Sequence, residues 1–186
     1  MNLINTEIKG VLIIEPKVFE DQRGRFLETY HRRRYAEHGM ALNFPQDNVS
    51  FSRQGSLRGL HYQLPCGQAK LVNVMRGEVL DVAVDIRRGS PTFGRWVSRI
   101  LSGENLRQIY IPAGFAHGFC VLSEEAIFAY KCSDLYAPDC EKGILWSDPD
   151  LGIDWPLKEP LVSEKDSRLP LLKDIPPESL PRFSPE

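Results

Sequence analysis

Short runs of β-branched and aromatic residues, each closed by Gly, Pro, Asn or Asp, constrain the fold of this chain more than any other feature. Val11-Leu12-Ile13-Ile14 stops before Pro16, and Arg25-Phe26-Leu27-Glu28-Thr29-Tyr30 follows the turn-forming Asp21-Gln22-Arg23-Gly24. Further strands are predicted at 57–64, 70–75, 79–86, 95–101, 107–111, 118–122 and 126–132. Many short strands at such spacing predict an all-β sandwich or barrel. A basic stretch from Arg32 to His38, closed by Gly39, predicts one short helix, with Arg32-Arg33-Arg34 as its solvated face. Two turns, Arg76-Gly77-Glu78 and Ser123-Glu124-Glu125, are expected to close hairpins. A tight second hairpin would set Tyr130 opposite or nearly opposite Gly118, beside His117. The C-terminal third is richer in Pro and Asp. It predicts loops and short helices packed on the β core. The expected organisation is a single domain over 1–174 with a poorly ordered, Pro-rich tail at 175–186.

A length of 186 residues suits one domain with a sizeable core. The 42% hydrophobic and 26% charged content is ordinary for a soluble globular protein. A formal net charge of −2 argues against a general nucleic-acid binder, since no excess of cations exists to neutralise phosphates. A local basic pocket for one small anion is still compatible with it. No apolar run approaches the roughly 20 residues that span a bilayer, and Met1–Glu7 lacks the pattern of a signal peptide. No membrane partner is expected, and the location is expected to be cytoplasmic. Cys66, Cys120, Cys132 and Cys140 show no CxxC spacing and are expected as reduced thiols.

The chemistry concentrates in Leu57-Arg58-Gly59-Leu60-His61-Tyr62-Gln63. A histidine in a strand is a general base, a metal ligand or a buried structural group. Strict alternation puts Arg58 and His61 on opposite faces; a bulge at Gly59 would bring them together. Lys70 stands alone at the head of an apolar strand, either as a functional cation or as an edge charge that blocks aggregation. Gln46, Asn48, Ser50 and Ser52 alternate, so one strand carries a polar face. Pro112-x-Gly114-x-x-His117 resembles the second conserved motif of the cupin superfamily, and the spacing from Gly55 to His61 resembles the opening of the first. Metal-binding cupins need His-x-His and a downstream Glu, whereas this chain has Gln63 at the second position, so no metal is expected. His117 reads either as a hydrogen-bonded residue near the barrel mouth or as a ligand contact.

A closer resemblance rests on longer segments. Glu15-Pro16-Lys17-Val18-Phe19-x-Asp21-x-Arg23-Gly24, Gln46-Asp47-Asn48 and Leu57-Arg58-Gly59-Leu60-His61 carry part of it. The remainder lies in 77–87, in Ser90-Pro91-Thr92-Phe93-Gly94 and in Ile111-Pro112-x-Gly114-Phe115-Ala116-His117-Gly118-Phe119. Together they resemble the dTDP-4-dehydrorhamnose 3,5-epimerase family, from about Val11 to about Leu171. The resemblance implies a cupin-type jelly-roll barrel with short helices and a loop-rich C-terminal segment. It implies no cofactor, a nucleotide-sugar substrate and a homodimer whose nucleotide site is partly shared between subunits. It assigns His61 as base, Asp166 as its orienting partner, Tyr130 as proton donor and Lys70 as the group beside the enolate oxygen. Substrate contacts implied are Arg23, Phe26, Glu28, Gln46, Asp47, Asn48, Arg58, Lys70, His117, Glu141 and Lys165, with Tyr136 stacking on the thymine. The loop Gln63–Ala69, with its Cys66, is a departure, being short where relatives vary. Rival expectations are an enzyme inverting only carbon 3 or only carbon 5, a metal-dependent cupin, and a non-enzymatic sugar-nucleotide binder.

Overall fold

A computed structural model describes residues 1–184. Two sheets face one another. The first runs, edge to edge, β1 (Asn2–Asn5), β2 (Leu12–Glu15), β10 (Gln108–Ile111), β7 (Lys70–Arg76), β12 (Glu125–Cys132) and β5 (Gln46–Arg53). The second runs β13 (Glu141–Gly143), β6 (Leu57–Gln63), β11 (Phe115–Val121), β8 (Glu78–Asp85) and β9 (Trp96–Ser102). A separate two-stranded ribbon pairs β3 (Val18–Asp21) with β4 (Gly24–Leu27). The all-β fold expected from the pattern, and the jelly roll that the resemblance implied, are therefore present, as two facing sheets with every ladder antiparallel.

The main core lies between the sheets. Val72, Val74, Ile109 and Phe128 of the first sheet meet Val79, Ala83, Leu101 and Phe119 of the second, with Phe119 and Phe128 stacked at 3.8 Å. Each sheet is also covered outside. Helix α1 (Arg32–Ala36) closes the outer face of the first with Tyr35, whose hydroxyl donates to the Gln108 side chain at 2.7 Å. The C-terminal segment covers the second through Leu151, Leu172, Ile175 and Leu180. Cover on both faces explains why β11 is buried at every position and shows no polar alternation, with His117 as its one polar side chain.

Both expected hairpins give way to sheet-to-sheet crossovers. β7 and β8, and likewise β11 and β12, belong to different sheets. Each turn spends its hydrogen bonds on the other corner and not on closing a two-strand ladder. The Glu78 amide donates to the Ser123 hydroxyl at 2.8 Å, and the Leu122 amide to the Glu78 carbonyl at 2.9 Å. Gly77 sits at the meeting point with φ +79°, where a Cβ would lie 2.1 Å from the Glu125 carbonyl oxygen. Tyr130 accordingly pairs with Asn48 and Val72, not with Gly118.

The tail is also more firmly held than its composition predicts. Ile175 and Leu180 are buried, the Tyr62 hydroxyl donates to the Ser179 carbonyl at 3.0 Å, the Arg88 amide donates to the Pro181 carbonyl at 2.7 Å, and the Phe183 amide donates to the Arg88 carbonyl at 3.0 Å. Apolar residues spaced between its prolines find the open face of the second sheet. The last two positions of the expected tail, 185 and 186, lie outside the described residues.

Candidate active site

The geometry begins with a bulge. His117 pairs with His61, but Phe119 pairs with Arg58, so β6 carries an extra residue against β11. Arg58 and His61, three positions apart, therefore line one interior cavity of about 500 Å³. The bulge needs glycine at Gly59: its φ is +125°, and a Cβ there would sit 2.5 Å from the Gly118 Cα.

Helix α2 (Glu164–Ser167) supplies the partner of His61. Ser163 caps it, its hydroxyl accepting the Asp166 amide at 3.0 Å. Asp166 Oδ1 meets His61 Nε2 at 2.7 Å, while Oδ2 accepts the Gly59 amide at 3.3 Å. Asp166 is 5% exposed and His61 29% exposed, so the carboxylate is enclosed while the imidazole reaches the cavity. Burial works to raise the Asp166 carboxyl, but the hydrogen bonds from His61, Gly59 and Ser163 outweigh it and hold it below the usual carboxylate range. An ionised Asp166 takes the Nε2 proton in a hydrogen bond, which leaves Nδ1 as the basic nitrogen.

The opposite wall comes from the first sheet. Lys70 and Tyr130 line the same cavity, with Lys70 Nζ 5.8 Å from the Tyr130 ring centroid. Lys70 lies on β7 between β10 and β12, so it is not an edge charge. Burial lowers its pKa, against the raising influence of Cys132, Asp81 and Glu141. Burial raises the Tyr130 hydroxyl, which keeps its proton across the neutral range. Tyr130 is thus near His117 as expected, though across the interior and not along a shared ladder.

Beneath them, His117 Nε2 bonds Asp81 Oδ2 at 2.9 Å, and the ring stacks on Phe128. His117 is hydrogen-bonded, as the first reading expected, and it lines both cavities. Burial lowers its pKa, opposed by Asp81. Asp81 was not anticipated. It is fully buried, and its Oδ1 has no hydrogen-bond partner among the described residues. A lone carboxylate midway along the apolar Val79–Val84 run was the available signal.

A second cavity of about 190 Å³ shares His61, Lys70, His117 and Tyr130 with the first. Gln46, Asn48, Tyr136 and Glu141 line it, together with Gln63 and Gln68, which were not anticipated as lining residues. The Gln46 side chain accepts the Tyr136 amide at 2.7 Å. Glu141 Oε2 accepts from the Tyr136 hydroxyl at 2.6 Å and from Lys165 Nζ at 2.5 Å, joining three expected contacts into one wall. Gln63, at the position where His-x-His would need its second imidazole, donates to the carbonyls of Cys66 and Leu135. Among the described residues no group of three or more His, Cys, Asp or Glu is placed to hold a metal ion.

Four expected contacts do not line either cavity of this chain. Arg23 is 90% exposed in the β3–β4 turn and paired with Asp21. Phe26 is 70% exposed on the same ribbon. Glu28 pairs with Arg34. Asp47 pairs with Lys131 on the outer face of β5, because strand alternation turns it away from Gln46 and Asn48.

A jelly roll that sets a His–Asp pair, a lysine and a tyrosine around one interior cavity is the architecture of a cupin-type epimerase. The family model described as dTDP-4-dehydrorhamnose 3,5-epimerase matches residues 5–174, and the chain belongs to that family. It is 58% identical over 168 residues to the dTDP-4-dehydrorhamnose 3,5-epimerase of Shigella flexneri, covering 89% of this chain and 93% of that one. It is 44% identical over 176 residues to a dTDP-4-dehydrorhamnose 3-epimerase of Streptomyces niveus, covering 94% and 85%. Among solved structures, a dTDP-6-deoxy-D-glucose-3,5-epimerase from Legionella pneumophila Philadelphia 1 in complex with dTDP-4-keto-L-rhamnose is similar with a TM-score of 0.97. That pair is 56% identical, with 99% of each chain covered.

Proposed function

We propose that this chain inverts carbons 3 and 5 of dTDP-4-dehydro-6-deoxy-D-glucose to give dTDP-4-dehydro-L-rhamnose, the epimerisation step of dTDP-L-rhamnose biosynthesis. One observation carries the mechanism: His61 and Tyr130 stand on strands of opposite sheets and face one cavity. Inversion requires a proton to leave one face of the sugar and return to the other. The 4-keto group acidifies the hydrogens on both neighbouring carbons. His61 Nδ1 takes a proton, Asp166 stabilises the imidazolium, and the electron pair moves into the carbonyl as an enolate. Lys70 stabilises the enolate oxygen, and Tyr130 returns a proton from the opposite face. The substrate's own carbonyl is the electron sink, so the reaction calls on no cofactor.

Arg58 lines the same cavity, and its guanidinium suits a diphosphate oxygen. Tyr136 walls the nucleotide end with Gln46, Asn48, Glu141 and Lys165. We assign Arg23, Phe26 and Glu28 to the partner's site in a homodimer. Exposed Val18, Phe19 and Phe26 on the ribbon, and Val49 and Phe51 outside β5, support such an interface. Sedimentation of the pure protein as a monomer would remove that assignment. A cytoplasmic location is in keeping with four free cysteines.

The Streptomyces niveus relative supports a second reading, inversion at carbon 3 alone. Proton NMR with the substrate in deuterated water, coupled to a reductase that traps the product, separates the two. Deuterium at both carbons with rhamnose formed supports the double inversion. Exchange at one carbon supports the single inversion, and exchange at neither overturns both.

A further inference from the structure

We propose that Cys66 and Cys140 form a reversible dithiol–disulfide pair that staples the rim of the second cavity. The two residues are 74 positions apart, yet their sulfurs lie 2.9 Å from each other. A disulfide bond is about 2 Å long, so closure needs a shift of less than about 1 Å. Two loops place the thiols. Cys66 lies between β6 and β7, and its carbonyl accepts from the Gln63 side chain at 2.8 Å. Cys140 ends the short 3-10 turn Pro138–Cys140, and its carbonyl accepts the Leu64 amide at 2.9 Å. The Gln63 side chain also accepts the Ala137 amide at 3.0 Å, so one glutamine holds both loops.

Both thiols are partly exposed, and a small oxidant can reach them. The hydrogen bond from Cys140 holds the Cys66 thiol above its usual range. Hydrogen peroxide is the oxidant of the right class. One thiol gives up its proton, its sulfur attacks a peroxide oxygen, the O–O bond breaks, and the departing hydroxide takes that proton, leaving a sulfenic acid and water. The second thiol attacks the sulfenic sulfur, water leaves, and the S–S bond forms. Two thiols and one peroxide give one disulfide and two waters; a dithiol reductant reverses the step.

The consequence lies next door. Glu141 follows Cys140 directly, Tyr136 precedes the 3-10 turn, and Gln68 follows Cys66 by two residues. All three line the cavity to which the proposed function assigns the nucleotide, and the ligand part of this inference rests on that reading. A cross-link fixes that wall before ligand arrives, which lowers the ordering cost of binding.

The test treats the full-length protein with hydrogen peroxide and then counts thiols after denaturation. Two thiols, Cys120 and Cys132, should remain of the four, with peptide mapping joining Cys66 to Cys140 and a melting temperature several degrees higher. Titration with dTDP should give a severalfold lower Kd for the oxidised form, reversed by dithiothreitol. C66S and C140S should keep the basal activity and lose all three responses. Four remaining thiols, a bridge mapped to another pair or between chains, or an unchanged melting temperature would overturn the staple. A reduced protein that binds no dTDP would instead count against the nucleotide assignment, and the thiol count would still decide the staple.

Discussion

Asp166→Asn is the sharpest perturbation of the site. Both carboxylate oxygens accept from N–H groups, Oδ1 from His61 Nε2 and Oδ2 from the Gly59 amide. An asparagine offers one acceptor and one donor. The Gly59 amide can only donate, so leaving it facing an NH2 group costs about 1–3 kcal/mol. The favoured orientation gives the oxygen to Gly59 and turns the NH2 toward His61. His61 must then accept at Nε2 and carry its proton on Nδ1, the nitrogen assigned as base. The variant also loses the anion beside the developing imidazolium. A charge pair near 4 Å at an effective dielectric constant of 20 is worth about 4 kcal/mol, and each 1.4 kcal/mol or so is about tenfold in rate. The expected loss in kcat is therefore about a thousandfold or somewhat more, with the fold retained. Initial rates with excess trapping reductase measure it, and thermal melts check the fold. A folded D166N enzyme keeping a tenth of wild-type kcat would refute the tautomer argument and the role of the pair.

Tyr130→Phe should lose product formation while keeping some solvent deuterium exchange, since abstraction at His61 survives; loss of both in a folded variant would give Tyr130 another role. Gly59→Ala should cost about 1–3 kcal/mol or more of stability through its positive φ alone, and more through the clash with Gly118; denaturant unfolding with a wild-type midpoint would discount the close approach. Asp85, where hydrogen bonds from Arg87, Ser90 and Thr92 overcome burial and lower the pKa, and Asp166 should both stabilise the fold above the unfolded carboxylate pKa of about 3.9. That contribution should fade as pH falls through their depressed folded values, so a melting temperature rising on acidification below that point would contradict the sign. Burial lowers Lys70, so an alkaline limb in kcat/KM should lie below the ordinary lysine pKa of about 10.4; a profile flat past that value would mean Lys70 need not be cationic.

The strand pattern was legible because its cause is local. β-Branched runs bounded by turn formers mark 70–75, 79–86 and 126–132 whatever surrounds them, and they fall on β7, β8 and β12. Short edge strands such as β1 and β13 were not legible, since they exist only through the ladders that receive them. The polar alternation of Gln46, Asn48, Ser50 and Ser52 was legible as a strand face, whereas the expected contact at Asp47 runs against that period, which turns it to the other side.

The sequence alone thus determined an all-β chain, its periodicities and the residue types able to run acid–base chemistry. The tertiary structure decided which of those residues meet. Whether a turn closes a hairpin or carries the chain to the facing sheet depends on what lies beside it, as Glu78 and Ser123 demonstrate by bonding across two corners. Whether Arg58 and His61 share a face depends on a bulge that only the contact of Gly59 with Gly118 specifies. His61, Tyr130 and Asp166 lie far apart along the chain, and no local preference relates them. Closing the loops between them is entropically unfavourable until two complete sheets bury their apolar faces together. The site is a consequence of that burial.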